Sequence, residues 1–370
     1  MPSVSIRERM ETIRASGGTD GLVRGVAVRQ LTCTGPGVID WREVPDPELT
    51  SATDAIVRPI AVARCGIDPT LVGIGPTRGD RFALGHEAVA EVVAVGAAVS
   101  NVKVGALALP SFWISCGSCD QCTRGKTALC REYPLLSSYG MEPLSGVEYG
   151  GMLSDLVRVP HADTMLTLLP PGVDPIAVAS LPDNVVDGYR LVAPHLERRP
   201  GADVVIASHG GGAIGLYAAQ TAAALGAGSV TVASDDDTVL DLATHIGVRP
   251  LRVDFTQKPP QTWAIVVDCG PEEFRVGFRW SIRATEPEGV LHCMGSVDPD
   301  VPFDLRRLYT LGIEFHIGRA HSAALMPEVI ALVADGRLHP ELVTTDIIGW
   351  EEAPTRYLDP GVKLIVERFA

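Results

Sequence analysis

The sequence has no long hydrophobic run, no excess of basic residues and no internal repeat. No stretch of eighteen apolar residues is free of charge, so a membrane-spanning helix is not expected. The 31 Lys and Arg residues are outnumbered by 45 Asp and Glu, which gives a net charge of −14. Nucleic acids and anionic membranes bind basic surfaces, and we therefore expect neither as a partner. The 46% of hydrophobic residues predicts a globular chain with more than one core.

Cysteine is also sparse, with eight residues in 370, and half of these lie within one short segment. Residues 1–25 carry several charges where a secretory signal needs an apolar centre. This pattern favours a reducing, cytoplasmic location over a secreted disulfide framework. We interpret residues 1–24 as an N-terminal extension, which is either a flexible segment or a subunit contact.

The clustered cysteines follow a C-x2-C-x2-C-x7-C pattern, formed by Cys116, Cys119, Cys122 and Cys130. Short turns bring neighbouring thiolates together and the longer loop returns the fourth, so that all four can hold one tetrahedral Zn²⁺. Two disulfides or an iron–sulfur cluster are compatible with the same spacing. We favour zinc, and because four thiolates leave no position for substrate, we expect this site to be structural.

A second metal site is predicted from Cys65, His86 and Asp183. A thiolate, an imidazole and a carboxylate leave the fourth position of a zinc ion open, where an alcohol or carbonyl oxygen can be polarised. Each residue alone is more often a buried core group than a ligand. Asp68 is expected either to accept a hydrogen bond from the second ring nitrogen of His86 or to be a turn residue. Glu87 either lines the metal or points into a polar network.

In the second half of the chain, short apolar strands alternate with helical segments, which predicts a doubly wound parallel sheet. Gly210, Gly212 and Gly215 form a G-x-G-x-x-G turn between an apolar strand and an Ala-rich helix that includes Ala213 and Ile214. Glycines at this spacing let a dinucleotide pyrophosphate approach the N–H groups of the helix. The alternative is a turn that only packs the helix closely.

The choice of dinucleotide depends on Asp235, which follows the next predicted strand beside Ser234. A carboxylate there binds the ribose hydroxyls and repels a 2′-phosphate, and we expect no Arg or Lys at this place to receive one. NAD is therefore predicted over NADP. The alternative is an acidic N-cap, a role that Asp236 or Asp237 can take.

Four motifs, in this order, resemble the zinc-containing medium-chain alcohol dehydrogenase family: Cys65-Gly66-x-Asp68, Gly85-His86-Glu87, the four clustered cysteines and the glycine turn. Asp183 stands where the family more frequently has Cys. In this respect the chain is similar to bacterial secondary alcohol dehydrogenase-like members, which also have Asp there. The resemblance implies an α/β fold in which a β-barrel-type, GroES-like catalytic domain accompanies a Rossmann domain.

The implied domain bounds are 25–184 and 320–370 for the catalytic domain, with a zinc lobe at 112–131, and 185–319 for the Rossmann domain. The resemblance further implies a structural zinc on the four cysteines, a catalytic zinc on Cys65, His86 and Asp183, and a homodimer or homotetramer. It also implies hydride transfer between NAD(H) and a small alcohol, aldehyde, ketone or imine. Lys363 matches the basic position that contacts the cofactor pyrophosphate.

Several residues depart from the family pattern. Ile67 stands where a Ser or Thr hydroxyl usually passes on the substrate proton, and Thr70 stands where many members have a relay His. Asp187 occupies the place of a small hydroxylic residue at the nicotinamide, and His209 is unusual before the glycine turn. We therefore expect the proton to move through water, Asp187, Glu87 or the substrate.

Two alternatives to alcohol oxidation follow from these departures and from the fold. The first is reduction of a C=N or other polarised bond in a specialised metabolite. The second is a structural or regulatory protein that binds zinc and NAD without turnover.

Overall fold

The computed structural model describes residues 28–144, 146–209, 212–270, 275–295 and 304–369. The predicted extension at 1–24 and Gly210 of the glycine turn lie outside these described residues. Two compact units are present: the first takes in 28–183, 321–330 and 344–369, and the second takes in the described parts of 184–320 and 331–343.

The first unit is built mainly from antiparallel sheets, as the short β-rich runs predict. Its strands are β1 Val28–Gly35, β2 Val38–Val44, β3 Ala55–Ala63, β4 Phe82–Ala83, β5 Glu87–Val95, β6 Leu107–Pro110, β7 Val157–Val159, β8 Leu166–Leu168, β15 Asp346–Gly349 and β16 Leu364–Glu367. One sheet has the order β2-β1-β4. The larger sheet has the order β15-β16-β3-β5-β6-β8, with β7 also paired to β3.

Short helices connect these strands. They are α1 Asp68–Ile74, α2 Ala162–Met165 and α9 Ala353–Arg356, with 3₁₀ turns at Cys122–Arg124, Thr127–Leu129 and Trp350–Glu352. The core is rich in Ala, Val and Leu side chains, of which Leu31, Val57, Val62, Leu84 and Val92 are entirely buried. Small and β-branched residues pack well on a pleated, buried surface, and this explains why β3 is buried along almost its whole length and β5 over its first four residues.

The second unit contains the predicted doubly wound sheet. Its strands are β9 Asp203–Ala207, β10 Ser229–Ser234, β11 Arg249–Arg252, β12 Trp263–Asp268, β13 Thr285–Cys293 and β14 Glu314–Ile317. Their order is β11-β10-β9-β12-β13-β14, and every pairing is parallel. The fold prediction is confirmed. The direction of winding reverses between β9 and β12, which is where dinucleotides bind in sheets of this type.

The strands of the second unit alternate with helices, two of which begin at a capping aspartate. The helices are α3 Val186–Arg198, α4 Ala213–Ala224, α5 Asp237–His245, α6 Arg275–Ala284 and α7 Leu305–Leu311. Asp236 caps α5, since its Oδ1 accepts the N–H groups of Thr238 and Val239 at 2.7 and 3.3 Å. The expectation that Asp236 or Asp237 serves as an N-cap therefore applies to Asp236.

The chain passes from the first unit to the second within helix α8, Ser322–Ala334. The predicted catalytic domain runs without a break from 320 to 370, whereas residues 331–343 group with the second unit. Two hydrogen bonds explain this grouping: Gln220 donates to the carbonyl of His339 at 2.9 Å, and Arg337 donates to the carbonyl of Ala224 at 2.5 Å. Among the residues that the structure describes, no helix is long and apolar enough to cross a membrane.

Candidate active site

Strand pairing in the first unit brings distant parts of the sequence to one end of the larger sheet. Ala63 at the end of β3 lies opposite Glu87 at the start of β5 and opposite Ile365 of β16. Cys65 therefore follows one strand at the same end where His86 precedes the next. A π-helical turn at Leu181–Val185 supplies Asp183.

The side chains of Cys65, His86, Glu87 and Asp183 converge in the interior. Each of the four offers a ligand atom, and these atoms all lie within 4.8 Å of one another. His86 Nε2 is 3.4 Å from Asp183 Oδ2, and the Asp183 side chain retains only 13% of its exposure. The structure therefore brings the three predicted ligands and Glu87 together.

This group suits a zinc ion on two independent observations. Both ring nitrogens of His86 are buried and have no hydrogen-bond partner among the described residues, although buried polar atoms are normally paired. The donor set of one sulfur, one imidazole nitrogen and carboxylate oxygens is also the set that Zn²⁺ prefers. We therefore regard Cys65, His86 and Asp183 as the residues that would hold this metal.

Burial and neighbouring charges shift the pKa values of the group. Burial, followed by the charge of Asp183, raises the pKa of the Cys65 thiol to about 11. Burial opposes protonation of His86, but the carboxylates of Asp68 and Asp183 outweigh it and its pKa lies well above the usual value. Burial disfavours ionised Asp183, yet its contact with His86 holds the pKa of that carboxyl below the usual value. Several groups that can become anions are thus buried close together. A bound metal ion would reduce the electrostatic repulsion among them.

Asp68 contacts two of the predicted metal ligands, Cys65 and His86, and also Tyr357. Its Oδ1 is 3.5 Å from His86 Nδ1, while its Oδ2 accepts the N–H of Cys65 at 2.9 Å and the hydroxyl of Tyr357 at 2.6 Å. Asp68 and Tyr357 are entirely buried. Sequence reasoning missed Tyr357, because nothing local marks a tyrosine 289 residues away as a partner of Asp68.

Lys363, the residue predicted to contact the cofactor pyrophosphate, is bound to two groups of the first unit. Its ammonium group is entirely buried, lies 2.9 Å from both carboxylate oxygens of Glu87, and donates to the carbonyl of Arg64 at 3.0 Å. These contacts occupy the ammonium group within the first unit, and the predicted contact with the cofactor pyrophosphate stays a prediction. The position of Lys363 just before β16 places it at the metal-binding end of the sheet, where it pairs with Glu87.

Ile67 and Thr70, the two positions that depart from the family's proton relay, lie at the N-cap of α1 and within α1. Ile67 is partly buried and packs against the core of the first unit. Thr70 is exposed on α1. Neither supplies a buried hydroxyl or imidazole.

The four clustered cysteines form a separate group. All four are free of disulfides, with Sγ–Sγ distances of 4.0 Å for Cys116 to Cys122 and 3.9 Å for Cys119 to Cys130. In a tetrahedral site with Zn–S bonds of about 2.3 Å, neighbouring sulfurs lie about 3.8 Å apart. Backbone N–H groups point at the sulfurs, and those of Arg131 and Cys122 lower the pKa of Cys119 to about 6. The disulfide alternative is therefore not realised, and the group fits a tetrahedral metal ion.

In the second unit the glycine turn leads from β9 into α4 as predicted. Gly212 has a φ of +138°, a conformation that residues with side chains rarely adopt. A Cβ on Gly215 would lie 3.2 Å from Ile206 and 3.4 Å from Cys269, so glycine permits the close approach of helix and sheet. Ala213 and Ile214 form the first residues of α4.

Asp235 follows Ser234 at the end of β10 and is exposed, whereas Ser234 is buried and donates to the carbonyl of Ser208 at 2.7 Å. The expectation that no Arg or Lys stands near Asp235 is wrong in three dimensions. Arg252 donates to the carbonyl of Asp235 at 2.9 Å and to the carboxylate of Asp237. Only strand pairing brings this arginine beside the aspartates.

The other two unusual positions lie in buried pairs. Asp187 accepts from Nε of Arg190, which also contacts Nε2 of His292 at 3.0 Å. His209 Nε2 lies 3.3 Å from Oδ2 of Asp268. Asp187 and His209 are therefore both held by a charged neighbour within the second unit.

Comparison with known proteins adds a family model and several similar chains. Residues 51–171 match the model of the alcohol dehydrogenase GroES-like domain. A probable zinc-binding alcohol dehydrogenase of Mycobacterium tuberculosis is 26% identical over 89% of this chain and 84% of its own length. An NADP-dependent isopropanol dehydrogenase of Entamoeba histolytica is 33% identical over 60% of this chain and 59% of its own. The solved structure of an alcohol dehydrogenase from Thermus sp. ATN1 is 26% identical, covers 92% of this chain and 99% of its own, and has a TM-score of 0.81.

Proposed function

This chain belongs to the zinc-containing medium-chain alcohol dehydrogenase family, and from that premise we propose that it transfers hydride between NAD(H) and a small alcohol or carbonyl compound. It is a zinc-dependent oxidoreductase, which contradicts the alternative of a structural or regulatory protein without turnover. The observation that carries the proposal is the buried convergence of Cys65, His86 and Asp183, in which the ring nitrogens of His86 make no hydrogen bond to the described residues.

Within this proposal, zinc supplies Lewis acidity, which polarises a substrate oxygen and lowers the pKa of an alcohol. The chain's own residues hold the ion and orient its ligands. Asp68 fixes the Cys65 backbone and faces the Nδ1 atom of His86, so that Nε2 is directed toward Asp183. The burial of all these groups excludes water and strengthens every electrostatic interaction at the site.

NAD supplies the hydride acceptor, and the glycine turn supports its binding. Gly212 and Gly215 leave the start of α4 open to a pyrophosphate, and Asp235 stands where it can bind the adenosine ribose. The preference for NAD over NADP is part of the proposal and rests on the carboxylate of Asp235.

The proton must leave without the usual hydroxyl at position 67. Ile67 packs into the core, Asp187 is bound by Arg190 and Glu87 is bound by Lys363. We therefore propose that water or the substrate itself carries the proton. The Ile67→Ser variant is expected to change the pH dependence of turnover, and an unchanged profile would contradict this route.

The main experiment is a substrate panel with each metal-ligand variant. Alcohols, aldehydes, ketones and imines are offered with NAD(H) and NADP(H), and zinc content is measured on the same samples. We expect Asp183→Asn to abolish turnover and to lose one zinc per chain, whereas the exposed control Asp80→Asn keeps both. Normal turnover of Asp183→Asn would refute the ligand assignment, and activity confined to imines would favour C=N reduction.

Assembly and location complete the proposal. A homodimer or homotetramer is supported by the family resemblance, and light scattering on the purified chain would test it. A cytoplasmic location is supported by eight cysteines that form no disulfide. Disulfides in the protein isolated from its cell would contradict that location.

A further inference from the structure

His209, the residue immediately before the glycine turn, is enclosed within the second unit. It follows β9 and retains only 2% of its exposure. Its Nε2 atom lies 3.3 Å from Oδ2 of Asp268, the last residue of β12, and its ring meets that of Phe255 edge-on at 5.1 Å. A buried carboxylate and an aromatic ring therefore contact the imidazole at the point where the chain leaves β9.

Two glycines leave the space that the imidazole fills. A Cβ on Gly270 would lie 1.5 Å from Cε1 of His209, and a Cβ on Gly277 would lie 2.3 Å from its Cδ2 atom. Gly277 lies within α6, where glycine is unfavourable because it loses more backbone entropy than other residues. The close fit gives a physical reason for glycine at this helical position, since any side chain there would displace the imidazole.

The carboxylate that faces His209 is itself held by a second group. The hydroxyl of Ser281, in α6, donates to the same Oδ2 atom of Asp268 at 2.5 Å. Hydrogen bonds to a buried carboxylate are among the stronger ones in proteins, because charge assists them and little water competes. Through Asp268, the imidazole of His209 is therefore tied to both β12 and α6.

The residue before His209 is held from the opposite side of β9. The N–H of Ser208 donates to the carbonyl of Ala233 at 2.9 Å, and the hydroxyl of Ser234 donates to the carbonyl of Ser208 at 2.7 Å. Both partners belong to β10, and β9 lies between β10 and β12 in the sheet. The two residues that lead into the glycine turn are therefore bound to both neighbouring strands.

We propose that His209 is a positioning residue for the dinucleotide. Its side chain, held by Asp268 and fitted against the two glycines, fixes the direction in which the chain leaves β9 and so pre-organises the glycine turn for the cofactor pyrophosphate. This inference rests on the proposed function, because it presumes that a dinucleotide binds at the turn. Pre-organisation reduces the conformational entropy that is lost on binding. A histidine with only a structural role would raise the free energy of unfolding and leave cofactor affinity unaffected.

The test compares cofactor binding with stability. Dissociation constants of the zinc-loaded protein are determined by calorimetry for NADH and for ADP-ribose, which has the pyrophosphate but no nicotinamide, and urea unfolding is measured on the same samples. The variants are His209→Ala, His209→Gln, Gly277→Ala and the double variant of His209→Ala with Gly277→Ala. His195→Ala is the matched control, because His195 is also 2% exposed and lies 2.8 Å from a buried partner, His292. Gly73→Ala is the control for an added methyl group, since a Cβ there meets nothing within 4 Å.

We expect His209→Ala to raise the dissociation constants of NADH and ADP-ribose by the same factor, about tenfold, which is the effect of ordering one more residue on binding. His209→Gln keeps an N–H donor for Asp268 and should restore most of the affinity. Gly277→Ala should weaken binding in the unmodified protein but not in the His209→Ala background, because the methyl group then enters vacated space. His195→Ala and Gly73→Ala should leave both constants unchanged.

Four results would overturn the inference. They are an unchanged affinity in His209→Ala, an equal loss in His195→Ala, a loss restricted to NADH, and additive effects of the His209 and Gly277 changes. Failure of the unmodified protein to bind either ligand would instead refute the proposed function.

Discussion

The contact between Tyr357 and Asp68 provides a sharp test of how the metal-binding side chains are held in place. Tyr357→Phe removes one hydroxyl that donates at 2.6 Å to a carboxylate, in a site where both residues are entirely buried. The same carboxylate oxygen accepts the N–H of Cys65, and the other faces His86 at 3.5 Å. Loss of the hydroxyl therefore weakens the support of two predicted ligands at once.

The size of the effect follows from the chemistry of the lost contact. A hydrogen bond to a charged group contributes about 1.5–3 kcal/mol to stability, and loss of an outer hydrogen bond at a metal site lowers affinity about 10- to 100-fold. We expect Tyr357→Phe to lower the free energy of unfolding of the metal-free protein by an amount in the first range. Zinc affinity of one of the two sites should fall by about tenfold or more.

The assay is zinc competition with a chromophoric chelator, combined with urea unfolding. Tyr139→Phe is the control, since Tyr139 is also entirely buried but donates at 3.0 Å to the carbonyl of Arg158. That variant should lose about 0.5–1.5 kcal/mol of stability without a change in zinc affinity. Zinc affinity of Tyr357→Phe within twofold of the unmodified protein, or an equal loss in Tyr139→Phe, would refute the reasoning.

Three further predictions concern stability, measured by urea unfolding. Lys363→Met leaves the buried carboxylate of Glu87 unpaired and should lower the free energy of unfolding by about 3–5 kcal/mol. A second change, Glu87→Gln, should restore part of this loss. A loss below about 1 kcal/mol in Lys363→Met would contradict a buried ion pair. Asp236→Ala should cost about 0.5–2 kcal/mol through loss of the α5 cap, and Asp236→Asn much less. Burial lowers the pKa of His195 to about 4 and that of His292 to about 2. As the pH falls, these histidines are therefore protonated in the unfolded chain before they are protonated in the folded one. The stability that is present above about pH 6.5 is lost as the pH falls toward 4. Replacing both histidines by Asn should flatten this loss, and an unchanged slope would argue against it.

Features that depend on spacing along the chain could be predicted from the sequence. The four clustered cysteines lie within one short segment, and short turns were sufficient to indicate that their sulfurs converge. The alternation of apolar strands and helices predicted a parallel sheet, which the structure contains with β9 at 203–207 and α4 directly after the glycine turn. The grouping of Cys65, His86 and Asp183 was less local, and the resemblance to a family supplied what spacing alone did not.

Features that depend on which strands are neighbours required the tertiary structure. Lys363 reaches Glu87 because β3 pairs with both β16 and β5, and the resulting contact joins two residues that are 276 positions apart. Arg252 stands beside Asp235 because β11 is in register with β10, which reversed the expectation that no cation lies near the ribose site. Local patterns determine turns, helix ends and the composition of a site, whereas strand order and register determine which charges meet within it. The sequence therefore determined the chemistry available to this protein, and the fold decided how its buried charges are paired.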